Sequence, residues 1–71
     1  MSYFPHYIIV CTYISGENRK EVYDCAFRSL QLKINEKMEL GYKLYGNRTY
    51  NLSNIEGEWV CNVEQEMTLD N

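Results

Sequence analysis

One long stripe of apolar residues constrains the fold more than any other feature of this sequence. The stripe recurs at every fourth position and comprises Val22, Ala26, Leu30, Ile34 and Met38. Such spacing places the side chains along one face of an α-helix. Asn18 followed by Glu21 has the pattern of a capping box, and Gly41 stands where a left-handed C-cap is expected. The pattern therefore predicts a single helix that follows Asn18 and reaches Leu40.

The segments on either side of this helix have strand character. The first strand is predicted at His6–Ile14, the second at about Tyr42–Tyr50 and the third at about Glu58–Leu69, with an Asn-rich turn over residues 51–57. The third strand alternates, and the residues expected to face the core are Trp59, Cys61, Val63, Met67 and Leu69. The order predicts an α+β fold, β-α-β-β, with a three-stranded antiparallel sheet (a split βαβ unit) and the long helix on one face.

The length of 71 residues predicts a single domain, with flexible ends at residues 1–5 and 70–71. The three cysteines Cys11, Cys25 and Cys61 are odd in number and widely spaced, which is not the pattern of a disulfide framework. His6 is the sole histidine, so a zinc site would need carboxylate ligands and a very unusual spacing. We therefore expect buried, reduced cysteines, no metal and no cofactor. Without an export signal or membrane helix, the expected location is the cytoplasm.

Small size also predicts self-association. A chain of this length buries about 60% of its unfolded surface, so a single core contributes little stability. The first strand is apolar on both faces, and one helix covers one face. We expect Ile8, Val10 and Ile14 to line the other face and to form the interface of a homo-oligomer, at least a dimer.

The formal net charge of −3, with scattered lysines and arginines, argues against non-specific nucleic-acid binding. The seven tyrosines favour a binding surface, because each offers a broad apolar ring with a polar hydroxyl. No catalytic motif is visible: Glu64 and Glu66 share one strand face, but a solvated face is the commoner explanation. The sequence thus predicts a binding protein rather than an enzyme.

A helix-terminal motif resembles a family of very small bacterial and phage domains. That family has a strand, a helix ending V-N-x-x-I-x-x-G-W-x-P-x-G, and a hairpin closing in Q-A-M-V. Here Ile34-Asn35, Met38 and Gly41-Tyr42 match the pattern, Leu44 replaces the proline, Gly46 matches the last glycine, and Gln65–Thr68 matches the closing motif. The phage relatives include Thoeris-type anti-defence sponges, which sequester cyclic nucleotide signals in the host cytoplasm. The resemblance therefore implies a phage protein of this kind, with its ligand at a subunit interface.

The segment from Tyr45 to Asn51 is the candidate ligand site. It combines aromatic faces for stacking, one guanidinium for phosphate and several amides, which together suit a nucleotide. The candidate ligand-binding residues are Tyr45, Asn47, Arg48, Tyr50 and Asn51. An ordinary hairpin explains the same residues equally well. The alternative function is a protein-interaction module that inhibits a host enzyme.

Overall fold

The computed structural model describes residues 5–69. The predicted flexible ends, residues 1–5 and 70–71, therefore lie outside the described part except for Pro5. Four elements follow one another: strand β1 (Tyr7–Gly16), helix α1 (Arg19–Glu39), strand β2 (Tyr42–Ile55) and strand β3 (Glu58–Leu69). The fold is therefore α+β, as the sequence predicts.

The three strands form one antiparallel sheet in the order β1-β3-β2. The third strand lies between the other two, which confirms the predicted split βαβ arrangement. Because β1 and β2 each run antiparallel to β3, they are parallel to one another. The helix connects them across one face of the sheet, and no described residue outside the sheet covers the opposite face.

Both ends of α1 carry the predicted caps. The Asn18 side chain accepts a hydrogen bond from the backbone N–H of Glu21 at 3.0 Å, which satisfies one of the unpaired donors of the first turn. After the helix, Gly41 adopts φ 103°, a conformation that side chains rarely tolerate. The next residue, Tyr42, has a buried side chain. Its hydroxyl donates a hydrogen bond to the backbone carbonyl of Pro5 at 2.6 Å.

The core lies between the helix and the sheet. Four of the five stripe residues are buried, and on the sheet side they meet Val10, Tyr42, Cys61, Val63 and Met67. The fifth, Met38, is 48% exposed in the last turn of the helix. The stripe therefore packs over its first four positions only.

The predicted orientation of β1 is wrong. Ile8, Val10 and Ile14 face the helix, and Val10 is a core residue with 6% exposure. The uncovered side of β1 instead carries Tyr7, Ile9, Cys11 and Tyr13. Both faces of this strand are apolar, so its own alternation could not decide which side meets the helix. The predicted subunit interface at Ile8, Val10 and Ile14 is wrong for the same reason.

The hairpin between β2 and β3 is tighter than predicted. Residues 51–55 continue β2 in regular pairing with β3, and the connection consists of Glu56 and Gly57, both at positive φ. This is the geometry of a two-residue turn that matches the twist of the strands. The Asn54 side chain accepts from the backbone N–H of Gly57 at 3.1 Å, so an asparagine that suggested a long turn stabilises a short one.

Of the three cysteines, Cys61 is fully buried, whereas Cys11 and Cys25 are exposed, contrary to the expectation that all three are buried. Burial raises the pKa of the Cys61 thiol. No helix within residues 5–69 has the length and apolar character needed to cross a membrane.

Candidate functional site

The five residues predicted to form a ligand site do not converge on one surface. Arg48 and Tyr50 lie on the helix side of the sheet: the Arg48 guanidinium donates to the Gln31 side chain at 3.3 Å, and the Tyr50 ring lies 5.5 Å from that of Tyr23. The other three, Tyr45, Asn47 and Asn51, lie on the uncovered side.

The division follows the ordinary alternation of side chains along a strand, because the odd-numbered residues lie on one side and the even-numbered residues on the other. A β-bulge interrupts β2 within this segment. Tyr45 pairs with Glu66 and Thr49 pairs with Glu64, so three residues of β2 stand opposite Gln65 alone. Gly46 begins the bulge at φ 73°, and a Cβ there would lie 3.2 Å from a carboxylate oxygen of Glu66. The bulge adds two residues to β2, an even number, so the side chains that follow it keep the sides that alternation gives them.

Gln65 contacts the bulge from the core side of the sheet. Its side chain is buried, and its amide nitrogen lies within hydrogen-bonding distance of three carbonyl oxygens: Glu66 at 2.9 Å, Tyr45 at 3.3 Å and Gly46 at 3.4 Å. A buried amide without an acceptor is costly, so the carbonyls of the bulge satisfy the Gln65 side chain within the core. Gln65 is polar, and the predicted core of β3 omits it.

The uncovered side of the sheet, hereafter the open face, exposes several large apolar side chains. The large apolar side chains that it exposes are Tyr7, Ile9, Tyr13, Tyr45 and Ile55, each at least 46% accessible. Contiguous exposed apolar groups framed by polar residues are typical of binding surfaces. Sequence reasoning recognised the alternation that produces this face, but placed the helix over it.

Two carboxylates of the central strand stand in the middle of the open face. Glu64 and Glu66 lie two residues apart on β3, and with Ile9, Asn47 and Thr49 they line a depression of about 200 Å³, hereafter the acidic pocket. The pocket therefore has an aliphatic wall, a polar wall and two negative charges, which is a set of groups suited to a cation.

Tyr7 contacts both a carboxylate of the acidic pocket and the neighbouring ring of Tyr45. Its hydroxyl donates a hydrogen bond to Glu66, and its ring meets that of Tyr45 edge-on at 6.4 Å. The bond to Glu66 raises the pKa of Tyr7, and partial burial and the negative charge of the same carboxylate act in the same direction. Tyr7 thus remains a donor that orients Glu66.

The far end of the open face is also acidic. A second depression, of about 280 Å³, is lined by Tyr13, Ser15, Ile55, Glu56, Glu58 and Val60. Within residues 5–69 no group of three or more histidine, cysteine, aspartate or glutamate side chains is arranged to hold a metal ion. The carboxylates of the two depressions thus form negatively charged regions between apolar side chains.

Comparisons of the chain with protein-family models, with curated proteins and with solved structures find no match. The family resemblance of the helix-terminal motif stays a prediction.

Proposed function

We propose that this protein is a small non-enzymatic interaction module, whose open face binds a partner protein that presents a basic side chain among apolar ones. The observation that carries the proposal is the position of the acidic pocket between exposed tyrosine and isoleucine side chains. An arginine or lysine of the partner would enter the pocket between Glu64 and Glu66.

Energetic considerations support this choice of ligand. A hydrogen bond between charged groups contributes roughly 1.5–3 kcal/mol. The rings of Tyr7 and Tyr45 lie beside the pocket, where a bound cation gains a further attraction to their faces. Apolar contact with Ile9, Tyr13 or Ile55 adds about 25 cal/mol per Å² removed from water. A protein segment supplies both kinds of contact, whereas a simple inorganic cation supplies one.

Sequestration of an anionic nucleotide, as in a phage anti-defence protein acting in the host cytoplasm, is the second candidate. Its support is the placement of Arg48 and Tyr50 on the same side of β2, beside Gln31 and Tyr23 of the helix. One guanidinium, an amide and two aromatic rings are near one another there. On the open face the same ligand would meet the carboxylates of Glu64 and Glu66, which repel it.

Selection of a displayed random-peptide library on the immobilised protein tests the first proposal. We expect enriched peptides to carry arginine or lysine next to apolar residues, and to bind the double variant Glu64→Gln, Glu66→Gln at least about tenfold more weakly. Glu39→Gln, on the helix, is the matched control and should retain binding. Enrichment of acidic peptides, or equal binding to the double variant, would contradict the proposal.

A panel of cyclic nucleotides, followed by amide chemical shifts of the isotope-labelled protein, tests the second candidate. Shifts centred on Arg48 and Tyr50 would favour the nucleotide. Shifts around Ile9 and Glu64 upon addition of a selected peptide would favour the interaction module. A new product formed from any nucleotide by the pure protein would contradict the non-enzymatic character of both candidates.

A further inference from the structure

We infer that a second copy of this chain pairs with the free edge of β1, so that two three-stranded sheets join into one six-stranded sheet around a twofold axis. The sequence predicts self-association without locating its interface correctly. The edge of β1 is a different surface from the open face, and the inference does not depend on the partner proposed for that face.

Two hydrogen bonds reveal which backbone groups of β1 point outward. The carbonyl of His6 accepts from the backbone N–H of Leu69 on β3 at 2.8 Å, whereas the carbonyl of Cys11 accepts from the Lys33 side chain at 3.0 Å. In an antiparallel pair the polar groups of successive residues alternate between the two edges. The residues whose N–H and C=O face away from β3 are therefore Tyr7, Ile9, Cys11, Tyr13 and Ser15.

The two edge strands of the sheet, β1 and β2, differ in how regular a template they offer to an added strand. β1 keeps an unbroken register with β3 over ten residue pairs, from Tyr7 to Gly16. β2, at the other edge, is interrupted by the bulge between Tyr45 and Thr49. Bulges twist an edge strand and break the row of groups that an added strand needs. Within residues 5–69 the edge of β1 thus offers the longest regular template, ten residue pairs against seven in β2 beyond its bulge.

A groove beside this edge provides room for the side chains of a second copy. It has a volume of about 470 Å³ and is lined by Ile8, Ile9, Val10 and Cys11 of β1 and by Lys33, Glu36 and Lys37 of α1. Lysine and glutamate therefore occur together along the helical wall. A twofold axis brings that wall against its own copy in reverse order, so that Glu36 comes within reach of the lysines of the other copy.

Charge also selects the edge rather than the open face for self-association. Two open faces brought together would oppose the carboxylates of Glu64 and Glu66 with those of the second copy. At the edge, the Lys33 ammonium leaves the Cys11 carbonyl and gains a carboxylate of the other copy in exchange, while the freed carbonyl accepts from the added strand.

Light scattering of wild type and of Ile9→Pro at micromolar concentration tests the inference. Proline at residue 9 removes an outward N–H and obstructs the edge, while the hydrogen bonds between β1 and β3 are retained. We expect a dimeric mass for wild type and at least about tenfold weaker association for Ile9→Pro. Ile9→Ala, which keeps the N–H, should remain dimeric. A monomeric wild type, or undiminished dimerisation of a folded Ile9→Pro variant, would overturn the inference.

A thiol cross-link covers the case in which Ile9→Pro fails to fold. Cys11 is exposed near the middle of β1, whereas Cys61 is buried. Antiparallel pairing of two β1 strands places both Cys11 thiols on one face, within reach of a short bifunctional thiol reagent. In Cys25→Ser a covalent dimer should form, and in Cys11→Ser, which retains Cys25, it should not. The reverse pattern, or no dimer in either variant, would overturn the inference.

Discussion

The side-chain amide of Gln65 donates to the backbone carbonyl of Tyr45, 3.3 Å away on the neighbouring strand. This bond reaches into the bulge of β2, whose Asn47 lines the acidic pocket and whose Arg48 lies on the helix side of the sheet. A single buried amide therefore contacts the backbone of the bulge that forms one wall of the acidic pocket.

Gln65→Met tests this relationship. Methionine fills a similar volume but cannot donate, so the carbonyls of Tyr45 and Gly46 lose their side-chain donor. We expect the free energy of unfolding to fall by about 1–3 kcal/mol, measured by urea denaturation. Gln31→Met, on the exposed face of the helix, is the control and should change stability by less than about 0.5 kcal/mol. Equal effects of the two substitutions would show that the bulge does not need Gln65.

Thr12→Val should stabilise the protein. The Thr12 hydroxyl is buried and has no hydrogen-bond partner among the described residues. Valine has the same shape without the unsatisfied polar group, and we expect a gain of about 1 kcal/mol in the free energy of unfolding. Thr68→Val, on the open face, is the matched control and should gain less. A loss of stability in Thr12→Val would mean that the hydroxyl has a partner in solution.

Gly41→Ala and Gly57→Ala separate backbone strain from steric contact. Both glycines adopt positive φ, of 103° and 86°, so alanine is strained at each, by roughly 1–2 kcal/mol. At Gly41 the added Cβ would also lie 3.2 Å from the Leu69 side chain, whereas at Gly57 nothing lies within 4 Å. We expect the melting temperature to fall further for Gly41→Ala. An equal fall would indicate that the Leu69 side chain moves aside freely.

Arg48→Ala distinguishes the two candidate ligands. Loss of a charged hydrogen bond to phosphate, roughly 1.5–3 kcal/mol, should weaken binding of an anionic nucleotide by about tenfold or more. Binding of a basic peptide to the open face should not change, because Arg48 lies on the opposite side of the sheet. Calorimetry measures the affinity for each of the two ligands, and Lys20→Ala is the control variant. Unchanged nucleotide affinity in Arg48→Ala would remove this residue from the site.

The hydrogen bond between Tyr7 and Glu66 predicts a dependence of stability on pH. Because the pKa of Tyr7 is raised in the folded state above its ordinary value of 10.0, the unfolded chain loses this proton first as pH increases. The stabilisation is therefore complete below pH 10.0 and is lost as pH rises through the higher pKa of the folded state. The urea midpoint of wild type should fall more steeply above this pH than that of Tyr7→Phe. Parallel curves would show that the bond contributes nothing.

Sequence patterns were sufficient for the parts of this fold that depend on local chemistry. The capping side chain of Asn18 and the helix stop at Gly41 each follow from residue type and position, and both are confirmed. The order of the strands followed from the connection rule for a strand, a helix and a hairpin, and it is also confirmed.

The remaining features depend on contacts that no single segment encodes. β1 presents two apolar faces, so only packing against the helix selects Val10 for the core and leaves Ile9 exposed. The bulge depends on Gln65, which lies about twenty residues further along the chain. The grouping of Arg48 with Tyr45 is a different case: they stand at even and odd positions of one strand, and alternation itself places them on opposite sides of the sheet.

The order β1-β3-β2 also determines when the sheet can form. Every strand pair of this sheet involves β3, so the first strand has no pairing partner until residues 58–69 have left the ribosome. The β2–β3 hairpin closes across a two-residue turn, whereas β1 must find strand partners 43 to 61 residues away, from Gly16 with Trp59 to Tyr7 with Thr68. Because closing long loops is slower than closing a turn, the hairpin should assemble first and the first strand should dock last. During synthesis, therefore, the apolar first strand depends on the helix, or on a chaperone, for protection from other nascent chains.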